Sequence, residues 1–311
     1  LSMKKNDIKY VSLLDSFGTF YQKENDDYGV PNEETKNSWQ YLLFKKFGIE
    51  LNKTTLEPLS QNGSCIEYIQ WSLDYLIEYQ WDIIKDATII IGVPDPNRIW
   101  FCEYPSISHV VNLGNNGFRK GFLDHANRMG SDTYKLEKQM NSAFEFAANG
   151  CYPRELAFQK AKSFIAYIHY IRKKYDLNII ALPISESEES IGIQYNSFNT
   201  HGTLQDVQFR EIAAKNDKDR VKLQNYLLSP KSLWLGADGR VNHLIRENHA
   251  ILAEKIYNSM TNNVDLDLST GFVQNIITET NYKEYKKLNI HKLTQDTNID
   301  TVYNNTVAGP F

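Results

Sequence analysis

The run Thr88–Val93 (TIIIGV) constrains this chain more than any other segment. It is continuous and apolar, bounded by Asp86 and Pro94, and has none of the polar alternation of a half-exposed strand. Such a run belongs at the centre of a parallel sheet covered on both faces. Asn178–Pro183 (NIIALP) repeats the signature, and Ile8–Leu14 (IKYVSLL) and Leu56–Leu59 are shorter strand candidates. Helical periods lie between and after them. One is Trp39, Leu42, Leu43 and Phe47, stopping at Gly48; a second is Ile66, Ile69, Leu73, Leu76 and Ile77. A long one runs from Arg154 to Tyr175, with Ala161, Phe164, Ile165, Ile168 and Ile171 inward, and a last one carries Leu252, Ile256 and Met260. Alternating strands and helices predict an α/β fold, expected as a three-layer α/β/α sandwich with a mostly parallel, flavodoxin-like sheet.

At 311 residues, the chain lies just past the size at which single cores stop growing. The expectation is one domain over residues 1–263 and a C-terminal extension over 264–311, where Asn, Thr and Tyr replace helical periodicity. Residues 103–150, broken by Gly114, Gly117, Gly121 and Gly130, are expected to be a helical insertion and a candidate lid over one end of the sheet.

Charge and cysteine content exclude several functions. A net charge of −4 offers no basic field for nucleic acid. Cys65, Cys102 and Cys151 form no C-x-x-C pair, which argues against a zinc ribbon or a disulfide framework. No stretch of about 18 apolar residues occurs, and no signal-peptide pattern is visible, so a soluble, cytoplasmic protein without membrane contact is expected, with secreted or virion-associated destinations left open. His243 and His249 are six apart, about 240° around a helix, and share no face, so no metal site is expected; no cofactor motif is present either.

Ligands of open parallel sheets bind beyond the carboxyl ends of the strands. The turns there carry Ser16 after the first strand, Gly63 after the second and Asp95 after the third. The blocks Leu13-Leu14-Asp15-Ser16-Phe17, Ser60-Gln61-Asn62-Gly63-Ser64, Gly92-Val93-Pro94-Asp95 and Asp238-Gly239-Arg240-Val241-Asn242-His243, with His249 six residues later, follow one another in an order and spacing that resemble the SGNH (GDSL-like) hydrolases. Three departures stand out. Leu14 replaces the glycine before Asp-Ser, Pro94 replaces the oxyanion-hole asparagine, and the Asp-to-His interval is two residues longer than the family's.

The resemblance implies acyl transfer. Ser16 would be the nucleophile, His243 its general base and Asp238 the residue that holds the imidazole, with the Ser16 and Gly63 amides forming the oxyanion hole. Asp95, Asn97 and Arg98 are candidates for substrate contact or oxyanion support in place of the missing asparagine, and Asp95 with Arg98 reads equally as a structural ion pair. The implied substrate is a small-molecule or carbohydrate O-acyl ester, above all an O-acetyl ester. An O-acetyltransferase using the same serine, and a weak or inactive relative kept for binding, are the alternatives. A flavodoxin-like nucleotide-binding domain fits less well, because the first turn has neither a G-x-G-x-x-G nor a Walker pattern. Glu186, Glu188 and Glu189 read as a solvated loop rather than as glycosidase acids.

Overall fold

A computed structural model describes residues 8–15, 17–18, 35–51, 55–60, 64–98, 123, 127, 132–149, 153–212 and 243–276. Its elements, in chain order, are β1 (Tyr10–Leu13), a 3-10 turn (Thr35–Asn37), α1 (Trp39–Lys46), β2 (Leu56–Pro58), α2 (Ile66–Tyr79), α3 (Trp81–Ile84) and β3 (Thr88–Val93). Then come α4 (Thr133–Ala148), α5 (Arg154–Tyr175), β4 (Asn178–Pro183), α6 (Glu188–Ile191), β5 (Thr200–His201), α7 (Leu204–Arg210), α8 (Arg246–Asn262) and β6 (Leu266–Asp267). The strands form a four-stranded sheet in the order β2-β1-β3-β4 and a two-stranded sheet of β5 and β6. Every one of these pairings is parallel. The fold is therefore α/β with a parallel sheet, as the strand–helix alternation predicts.

The period of two along each strand divides the core. Val11, Leu13, Ile89, Ile91 and Ala181 pack with α2 (Ile66, Ile69, Leu73) and α5 (Phe164, Ile165, Ile168). Tyr10, Leu14, Ile90, Ile180 and Leu182 pack instead with α1 (Trp39, Leu43, Phe44) and α8 (Leu252, Ala253, Ile256). Alternate strand residues are thus buried in one cluster or the other, which is why the inner strands carry no polar alternation. Each fully buried Ile or Leu contributes about 1.5–3 kcal/mol of transfer free energy, so these two clusters supply the main drive to fold.

Side chains close the outer edge of β4. Asn196 donates from Nδ2 to the Ala181 carbonyl (2.8 Å) and its Oδ1 accepts the Ala181 N–H (2.9 Å). Arg172 of α5 donates to the Ile179 carbonyl on the same edge (2.9 Å) and to Asn196 Oδ1 (2.7 Å).

The expected boundary after residue 263 does not end the packing. Leu266, Leu268 and Phe272 are buried in the cluster under α1 and α8, and Leu266–Asp267 pairs with β5. This segment reads as an extension in sequence because two-residue strands and single buried side chains leave no periodic trace. Of the expected insertion, α4 is present, while residues 103–122, including Gly114, Gly117 and Gly121, lie outside the described residues.

Candidate active site

The carboxyl ends of β1, β2 and β3 come together through side-chain bonds between their turns. Ser60, after β2, accepts the Leu14 N–H at Oγ (2.9 Å), and its hydroxyl also meets that of Ser12. Ser64 donates from Oγ to the Leu14 carbonyl (3.3 Å). These residues flank Gly63 and Ser16, which themselves lie outside the described residues, as does Asp238. Leu14, two residues before Ser16, is therefore bonded to Ser64, the residue after Gly63.

Asp15 is fully buried and organises the first turn. Its Oδ1 accepts the Phe17 N–H (3.0 Å), and its carbonyl accepts the Gly18 N–H (3.0 Å). Its Oδ2 takes an ion pair from Arg98 Nη1 (2.8 Å), which also donates to the Ser64 carbonyl (3.1 Å). Arg98 thus ties the third turn to the first two. Asp95 Oδ1 accepts from the N–H (2.8 Å) and side-chain amide (2.9 Å) of Asn97, and its carbonyl accepts the Arg98 N–H (3.0 Å). A short Asx turn satisfies Asp95 locally, and the guanidinium reaches the buried charge at Asp15. Asn97 bonds back to Asp95, Arg98 bonds to Asp15 and the Ser64 carbonyl, and Pro94 has no N–H to donate. Behind them, Lys160 of α5 donates to the Arg98 carbonyl (2.6 Å) and pairs with Glu67 of α2 (3.0 Å).

The replacement of glycine by Leu14 has a steric counterpart. A Cβ at Gly92 would lie 3.1 Å from Leu14 Cγ and 3.1 Å from Ile184 Cδ1, and one at Gly18 would lie 2.5 Å from Leu14 Cβ. The Leu14 side chain occupies room cleared by these two glycines.

From the other end of the chain, His243 reaches the same turn. It is 8% exposed, has a left-handed backbone (φ 60°), and sets its ring edge-on to Phe17 at a centroid distance of 4.9 Å and an angle of 60°. The Phe17 carbonyl in turn accepts from Trp39 Nε1 (3.0 Å) and Gln40 Nε2 (3.4 Å), so α1 holds the turn from below. His249 accepts the Trp39 N–H at Nδ1 (3.3 Å) and serves the scaffold. Ser38, buried just before Trp39, makes no hydrogen bond from Oγ among the described residues and forms no dyad with His249. Cys65 is no rival nucleophile, because burial, aided by the nearby Glu67 carboxylate, pushes its thiol up to about 12.

One buried carboxylate is not foreseeable from the sequence. Glu211, just past α7, is fully buried, and its two oxygens accept the Ile245 N–H at 3.1 and 3.2 Å. Oε1 also accepts from Asn248 Nδ2 (2.7 Å). In sequence it is one charge in Arg210-Glu211-Ile212, with nothing to separate it from a solvated residue. No group of metal-ligating residues occurs among the described residues, and no helix among them is long and apolar enough to cross a membrane. No family model matches the chain, and no curated protein or solved structure does either.

Proposed function

We propose that this chain is a serine esterase of the SGNH type, built on a three-layer α/β/α sandwich with flavodoxin-like strand order, that cleaves an O-acyl ester through Ser16 and His243. The observation that carries the reading is the contact of the His243 ring with Phe17, one residue past Ser16, beyond the carboxyl end of an inner strand. An imidazole delivered there by a non-glycine left-handed residue is a costly arrangement, and such strain concentrates at functional sites. The base would take the Ser16 hydroxyl proton as oxygen attacks the acyl carbon, then return it to the leaving alcohol. Amides at Ser16 and Gly63 would receive the oxyanion. An O-acetyl group, on a carbohydrate or a small alcohol, is the substrate class that suits this machinery.

Pro94, and the engagement of the Asn97 amide by Asp95, favour slow turnover. One absent oxyanion donor costs about 2.7–4 kcal/mol, roughly 10²–10³ in rate. Fluorophosphonate labelling, with Ser16→Ala and His243→Ala controls, tests the proposal alongside acetate release from p-nitrophenyl acetate. Label on the wild type and on neither variant supports it, whereas label that survives Ser16→Ala, or none on the wild type, defeats it. Label without turnover would place the chain among binding relatives of the family.

A further inference from the structure

We propose that Glu211 is a positioning residue for His243, an inference that rests on the reading of His243 as a general base. A carboxylate removed from water gives up much of its hydration, and its location is informative when simpler chemistry would have done the same local job. Here the local job is closing the start of α8. A short polar side chain at position 245 or a glutamate at position 248 would cap that helix at the surface. The chain has Ile245 and Asn248 there instead, and the acceptor comes from 34 residues earlier.

Both Glu211 oxygens converge on one backbone N–H, that of Ile245, two residues after His243. Asn248 clamps the carboxylate from the next turn, and itself bonds Val273 through both its amide nitrogen (3.0 Å) and its oxygen (2.8 Å). On its own side, Glu211 follows α7, whose start is locked by the reciprocal Thr203 and Asp206 capping bonds. The turn 243–245 is thus pinned at its helix end to a rigid element. His243 needs such a hold, because a left-handed histidine relaxes readily to ordinary backbone unless its surroundings over-determine it. Its Nδ1 is buried away from solvent. The negative charge also sits at the positive end of α8, where the helix dipole favours it.

Several other charged or titratable groups on the elements meeting here have identified partners, and Glu247, in the first turn of α8, is exposed. Asp15 pairs with Arg98, His249 Nδ1 accepts from Trp39, Arg210 donates to the Leu268 and Ser269 carbonyls, and Arg246 donates to Asn37.

The test is Glu211→Gln, which keeps shape and removes charge. Expected are a kcat for p-nitrophenyl acetate about tenfold or more below wild type with KM within about twofold, and a His243 imidazole titration midpoint, followed by NMR, lowered by about half a unit. Wild-type kcat and an unmoved midpoint overturn the proposal. Should the wild type take no fluorophosphonate label, the esterase reading fails by itself, and the His243 midpoint still decides what Glu211 does. If Glu211→Gln does not fold, Glu211→Asp replaces it: it retains the charge but withdraws it by one methylene. Labelling slower than wild type, with a near-native unfolding transition, supports the proposal, and wild-type labelling overturns it.

Discussion

Phe17 and His243 meet edge to face, with ring centroids 4.9 Å apart, and this contact joins the turn after the first strand to the segment before the last long helix. Phe17→Leu keeps most of the apolar volume while removing the ring that the imidazole rests on. Such swaps cost less than about 1.5 kcal/mol, so the variant is expected to stay folded by urea denaturation while fluorophosphonate labelling slows. Equal labelling rates for Phe17→Leu and wild type would show that the ring contact has no part in placing the base.

Arg98 neutralises a fully buried Asp15. Removing one member of a buried pair strands the other charge and costs about 3–5 kcal/mol, whereas replacing both with apolar or neutral groups of similar size is far milder. Arg98→Met should therefore lower the urea midpoint strongly, and Arg98→Met with Asp15→Asn should recover much of the loss. Additive effects in this double-mutant cycle would contradict the pairing.

Leu14 and Gly92 are predicted to be coupled through volume. A methyl group at position 92 must push on Leu14 and Ile184, so Gly92→Ala should destabilise by about 1–3 kcal/mol. Leu14→Ala alone should cost about 2–5 kcal/mol through a cavity. Together they should cost less than their sum, because the added methyl occupies part of the space that is vacated. Calorimetry on the four proteins measures the coupling directly.

A pH effect is expected away from the site. His201 lies between Glu189 (Nδ1 to Oε1, 3.1 Å) and Asp265 (Nε2 to Oδ2, 3.6 Å). The Glu189 hydrogen bond raises its pKa above the ordinary 6.5; slight burial opposes this and Asp265 adds to it. A raised histidine contributes stability that is full below the unfolded value and disappears as pH rises through the folded one. The urea midpoint should thus fall as pH rises above about 6.5, and His201→Gln should remove part of that fall. Because the group is exposed, the effect should be small and should shrink in high salt.

The sequence makes some of this plain and hides the rest for physical reasons. β3, β4 and α5 begin and end where the apolar runs 88–93 and 178–183 and the period over 154–175 do, since continuous burial leaves its mark in every residue. The positive φ of Gly48 matches its place past the first helix. Pairings across the chain carry no such mark. Nothing near Arg98 distinguishes Asp15 from the closer Asp95 as its partner, because the choice depends on how two turns approach in space. Glu211 is hidden in the same way, as its partners Ile245 and Asn248 lie more than 30 residues further along the chain. The burial of Leu266, Leu268 and Phe272 is equally silent, resting on single contacts rather than on a period. Ser16, Gly63 and Asp238 stand on the resemblance alone, and the described residues beside the first two bring their turns together.

The side chain of Asn196 finally bears on how copies of this protein behave together. A parallel strand with open N–H and C=O groups is a template on which a second molecule can lay its own strand. By occupying the Ala181 N–H and carbonyl, with Arg172 on Ile179, the chain closes that template from within. In Asn196→Ala both groups lose their partner, and the apolar strand NIIALP offers them to any neighbour that supplies a strand. Asn196→Ala should therefore self-associate at a lower concentration than wild type, which light scattering across a dilution series reads directly.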